Sequence, residues 1–157
     1  MTTDTYNMWN LVLQALIWVA MIATFIVYWR QLKAMQHGAT GQNILSLVNY
    51  LQAENVREAR TTVRKNLKGK SFNSWTDDEK LKASLVCSSY DAASLLIFRQ
   101  KLVPSDPFIR NWGPSIKDCY EICRPFIDEM QKPENSGPAY WSDFLVLYRE
   151  AVKSSAA

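Results

Sequence analysis

From Trp9 to Trp29 the chain carries no charged side chain; Leu, Ile, Val, Ala, Met and Phe dominate, with Asn10, Gln14 and Thr24 the non-aromatic polar exceptions. At a rise of 1.5 Å per residue, a helix over this stretch is about 30 Å long, the thickness of a bilayer's hydrocarbon core. Trp9 and Trp29, reinforced by Tyr6 and Tyr28, stand where the two headgroup layers would lie. The pattern predicts a transmembrane helix. A cleaved signal would need a basic stretch before the apolar run and small residues after it, yet Asp4 alone is charged on the first flank and Tyr28-Trp29-Arg30-Gln31-Leu32-Lys33 follows. Because Arg30 and Lys33 follow the span and no Lys or Arg precedes it, the expected orientation is N-terminus outside and tail in the cytoplasm, at the bacterial inner (plasma) membrane.

After the span every apolar pattern has helical spacing and none alternates as a strand would. Residues 1–36 read as a short outer end, the span and a juxtamembrane helix; His37-Gly38-Ala39-Thr40-Gly41 reads as a breaker or hinge; 42–152 read as one cytoplasmic helical domain. Ile44, Leu47, Val48, Leu51, Val56, Ala59, Val63 and Leu67 predict a helix over 42–67. Thr76 and Glu79 have capping-box spacing and open a helix expected to run to Leu102, where Pro104 stops it. A short helical turn within 105–113 and a longer helix over 115–131 come next, with Pro125 predicting a kink or break. A last helix over 139–152 places Trp141, Phe144, Leu145, Tyr148 and Val152 on one side. The predicted class is all-α, one transmembrane helix followed by a helical bundle.

Within the span, Asn7, Asn10, Gln14, Ile17, Met21, Thr24 and Tyr28 recur at steps of three and four, so one stripe collects the amides and hydroxyls. Polar groups in lipid need partners, and a single span has no second helix of its own to supply them. A homo-oligomer answers the need, with Gln14 bonding between neighbours or lining a conduit in which Ile17 and Met21 form a hydrophobic constriction. A monomeric anchor is the plainer alternative.

Charge adds a second feature. Arg57, Arg60, Arg64, Lys65, Lys68 and Lys70 stand against Glu58 alone, a net +5 over Arg57–Lys70 in a chain whose total is +3. Arg57, Arg60, Arg64 and Lys68 recur at helical steps, a row about 16 Å long beside the apolar row. Three readings remain open: a polyanion site with Phe72 and Trp75 placed to stack bases, contact with anionic lipid headgroups, or a solvated face.

Catalytic chemistry finds no motif. A Walker loop, a nucleophile elbow, a dinucleotide fingerprint and a zincin motif are all missing from the sequence, and His37 is the only histidine. Cys87, Cys119 and Cys123 lack a metal-ligand pattern and read as buried free thiols. No enzyme activity, metal or cofactor is expected.

Tyr90-Asp91-Ala92-Ala93-Ser94-Leu95-Leu96, Trp112-Gly113-Pro114, Arg124-Pro125-Phe126-Ile127 and Tyr140-Trp141-Ser142-Asp143-Phe144-Leu145 resemble bacterial one-span membrane proteins whose cytoplasmic helical domain has no assigned function. The architecture also resembles the membrane effector of Hailong-type anti-phage systems. That resemblance implies a tetrameric channel held shut by single-stranded DNA oligomers that a partner nucleotidyltransferase makes; it carries over no individual residue. The functional expectation is a homo-oligomeric gated channel or membrane-disrupting pore controlled by a polyanionic ligand. The alternative is a membrane-tethered adaptor that binds a protein partner and conducts nothing.

Overall fold

In the computed structural model, which describes residues 3–156, every regular element is helical: α1 (Thr3–Gln52), α2 (Glu54–Thr62), α3 (Asp77–Ser94), α4 (Ser105–Met130) and α5 (Ser142–Ala156). Side chains are described for residues 8–36 and 38–155; those of Tyr6, Asn7 and His37, singled out above, lie outside that set. The chain divides into two compact units, one ending at Gln42 and one beginning at Asn43.

The first unit is the N-terminal part of α1. Met8–Gln52 is long and apolar enough to cross a membrane, with a mean hydropathy of 2.3 over its most apolar window, none of which is buried. Asp77–Arg99 passes the same test at 1.3, but 44% of its window is buried, which marks it as the core helix of the second unit. Residues 37–41, expected as a breaker or hinge, do not break the helix. Each glycine costs about 1 kcal/mol in a helix interior, too little to stop one that the flanking residues favour, and Thr40 returns its hydroxyl proton to the Gln36 carbonyl at 3.0 Å. Thr24 does the same to the Ala20 carbonyl at 2.8 Å, so within the polar stripe the amides of Asn10 and Gln14 have the greater need of a partner.

The second unit packs α2, α4 and α5 around α3. The helix expected over 42–67 is interrupted at Ala53, whose backbone is extended (φ −51°, ψ 140°). Leu51 and Val56 explain the break: both are buried, yet five residues apart they would point away from each other on one helix. Past Thr62 the chain widens into a π-helical turn, Val63–Leu67, which buries Val63 and Leu67. Thr76 and Glu79 form the expected capping box, with the Glu79 N–H donating to Thr76 Oγ1 at 3.3 Å and the Thr76 N–H to Glu79 Oε2 at 2.8 Å.

Three boundaries differ from expectation. After α3 a π-helical turn, Leu95–Arg99, ends the helix before Leu102; Lys101 turns at φ 52° and delivers Val103 to the core. The two helices expected after Pro104 are one, because Phe108, Ile109, Gly113, Ile116, Cys119, Tyr120, Cys123, Phe126 and Ile127 form an unbroken buried stripe along α4. Pro114 and Pro125 lie on its exposed side, and the carbonyls they leave without an amide partner belong to Arg110 and Glu121, themselves exposed residues. Finally, α5 starts three residues late because Trp141 takes a left-handed conformation (φ 53°) that buries its ring and lets Nε1 donate to Ser88 Oγ at 3.0 Å. That shift turns the buried face of α5 to Phe144, Leu147 and Ala151 and leaves Val152 exposed.

Asp91 completes the join. Its Oδ1 accepts the Phe144 N–H at 3.0 Å, so a carboxylate on α3 caps the start of α5, while Arg99 holds Asp143 at 2.8 Å. Cys87, Cys119 and Cys123 are free and fully buried in the same core; burial pushes the Cys87 thiol up, and the Cys119 thiol to about 12.

Candidate anion-binding cleft

The basic residues of the second unit meet in one place. A cleft of about 880 Å³ opens between α2 with its π turn and α4, and Arg57, Arg60, Arg64, Lys65 and Lys68 line its first wall. Helical steps place Arg57, Arg60 and Arg64 on one face, as the sequence indicates. Thr61, Arg64, Lys65 and Lys68, at steps of three, one and three, line the same wall across the π turn. Val48 and Gln52, on the last turns of α1, contribute to the lining.

The opposite wall was not foreseen. Asn111, Trp112, Ser115, Asp118, Glu121 and Ile122 of α4 face the basic row. They flank the buried stripe of that helix, and a polar stripe at steps of three and four beside an apolar one was the signal in the sequence.

Arg60 differs from its neighbours. Only 7% exposed, it lies with its guanidinium 4.7 Å from the centre of the Trp112 ring, whose own stack with Phe108 (6.0 Å, 15°) fixes its plane. Its Nη1 is buried without a hydrogen-bond partner. Arg64 pairs with Asp118 at 3.1 Å, whereas among the described residues no carboxylate pairs with Arg57, Arg60, Lys65 or Lys68. Glu58, the one acid on the basic segment, is drawn away to Lys82 at 2.9 Å. Five cations face two carboxylates, so the lining carries a net positive charge.

Lys70 falls outside the site. It donates to both oxygens of Glu79 at 2.7 and 2.8 Å and so belongs to the cap of α3, where it holds the Glu79 carboxyl below its ordinary value of 4.5. Phe72 and Trp75 also leave the ligand reading: Trp75 is 5% exposed, and both rings pack on Phe126. Asn10, Gln14, Ile17, Met21, Thr24 and Tyr28 remain exposed along α1 in the first unit.

A family model described as a domain of unknown function, DUF4760, matches residues 18–151. The chain belongs to the DUF4760 family. The matched region starts inside the apolar helix and ends in α5, so the DUF4760 region includes both walls of the cleft. Comparison with curated proteins and with solved structures returns no match.

Proposed function

We propose that this DUF4760 protein is a homo-oligomeric membrane effector: α1 spans the bacterial inner membrane, N-terminus outside, and an oligonucleotide-class polyanion bound in the α2–α4 cleft controls a pore. The observation that carries the reading is the convergence of five basic side chains on one cleft, one of them a buried guanidinium with an unmet donor. An array of this kind exchanges condensed counterions for phosphates, which makes binding salt-dependent. Val48 and Gln52 give the ligand a route to α1, since they line the cleft and belong to the helix that carries the apolar stretch. A ligand moves a gate only as far as its affinity differs between the gate's two states, so the cleft must change shape on opening. The polar amides Asn10 and Gln14 support association of spans, which lipid-facing amides favour. The resemblance to Hailong-type effectors supports a role in anti-phage defence beside a nucleotidyltransferase.

The decisive experiment is ion flux from liposomes reconstituted with the full chain, with and without a single-stranded oligonucleotide. Flux that responds to the oligonucleotide and loses that response in the Arg57→Ala/Arg60→Ala/Arg64→Ala/Lys68→Ala variant supports the reading. Salt-dependent binding with no flux under any condition leaves the tethered adaptor. Absence of binding removes the ligand. Gln14→Leu is expected to abolish flux and weaken the oligomer; unchanged flux and assembly would reduce the stripe to an anchor face.

A further inference from the structure

The cleft's deepest cation says which part of an anionic ligand enters first. Arg60 is 93% removed from solvent between α2 and α4, and its Nη1 has no partner. Among the described residues no carboxylate pairs with it, and the hydroxyl beside it belongs to Tyr90. Burial pushes the Tyr90 hydroxyl up to about 12, so it stays neutral, bonded to Ser115 Oγ at 2.8 Å. Asp118 is engaged by Arg64, and Glu121 accepts the Tyr148 hydroxyl at 3.3 Å. A desolvated guanidinium left this way is a strong, rigid, planar donor.

We propose that the cleft captures the terminal phosphate of its ligand, a phosphate monoester seated on Arg60, rather than the internal diesters of a strand; this rests on the cleft being the ligand site. An internal phosphodiester is flanked by a sugar on each side and has one charge. To reach Arg60, both flanks would have to enter a cleft whose α4 wall carries Asp118 and Glu121. A terminal phosphate is attached on one side only, offers three free oxygens and carries up to two charges, so it approaches the Arg60 guanidinium with the least to bury. The remainder of the ligand then leaves past the exposed Arg57, Arg64 and Lys68. Both the guanidinium and Phe108 already occupy the Trp112 ring, so no base stacks there and recognition is indifferent to base identity.

The test uses the full chain in lipid nanodiscs and four probes: a 5′-phosphorylated single-stranded oligonucleotide, its 5′-hydroxyl counterpart, a nucleoside 5′-monophosphate and inorganic phosphate. The phosphorylated strand is expected to bind at least about tenfold tighter than the hydroxyl strand, the worth of one charge-assisted hydrogen-bonded contact. Arg60→Gln should erase that preference, Arg60→Lys should keep part of it, and Lys68→Ala should weaken both strands alike; helical content by circular dichroism confirms that each variant folds. Equal affinity of the two strands, or a preference that survives Arg60→Gln, overturns end capture while leaving the polyanion reading intact. If neither strand binds but the monophosphate or inorganic phosphate binds through Arg60, end capture stands and the oligonucleotide-gated reading fails. If no probe binds, both fall.

Discussion

Single side chains in this molecule settle how its helices are held. Asp91 shows no motif in the sequence, yet it caps a helix from across an interface fifty-three residues away. Asp91→Ala leaves the Phe144 N–H without its acceptor and is expected to cost about 1 to 2 kcal/mol, read by urea denaturation. Phe144→Ala keeps that N–H and its acceptor yet would be worse, because it removes a fully buried ring from the core. Glu79 gives a pH signature instead. Its folded value lies below the ordinary 4.5 because Lys70 and the Thr76 N–H hold the carboxylate, so its contribution is complete above 4.5 and is lost as pH falls through the folded value. Stability measured from pH 7 down to acid should therefore drop more steeply for the native chain than for Glu79→Gln; parallel curves would refute it. That pair also explains why Lys70 could not be separated from the basic row by sequence: its charge suits the row, and only the chain reversal at Gly69, in a left-handed conformation (φ 77°), turns it toward α3.

Elements were largely legible and their joints were not. The capping box at Thr76, the apolar run of α1 and the stripe of α4 are periodic signals that local chemistry enforces, and they place helices correctly. The break at Ala53, the two π turns and the left-handed Trp141 answer to packing instead. The break at Ala53 appears where two buried side chains, Leu51 and Val56, fall out of helical phase, and single-residue propensity carries no trace of it. The cleft follows the same division: its basic wall is a sequence pattern, while its α4 wall exists only because α2 and α4 face each other. Of the kink or break that Pro125 predicts, the break does not occur: α4 runs through Pro114 and Pro125, both on its exposed side. Pro114→Ala is accordingly expected to stabilise the second unit by about 1 to 2 kcal/mol, the restored Arg110 carbonyl bond less the looser unfolded chain. A shift of the thermal midpoint downward would contradict it.

Across the whole molecule, two surfaces are left with unmet needs: an apolar helix whose side chains stand bare, and a basic cleft whose inner donor has no acceptor. The proposed function joins them, one meeting lipid and sister spans, the other a phosphate. The core of the second unit contains three thiols, on α3 and α4, out of reach of solvent. Alkylating reagents act on the thiolate, so in the native state these sulfurs should be silent for as long as the two helices stay together. They are thus a built-in clock: the rate at which iodoacetamide consumes Cys87, Cys119 and Cys123, compared with and without ligand, measures how often the bundle parts, with no label introduced and no residue changed.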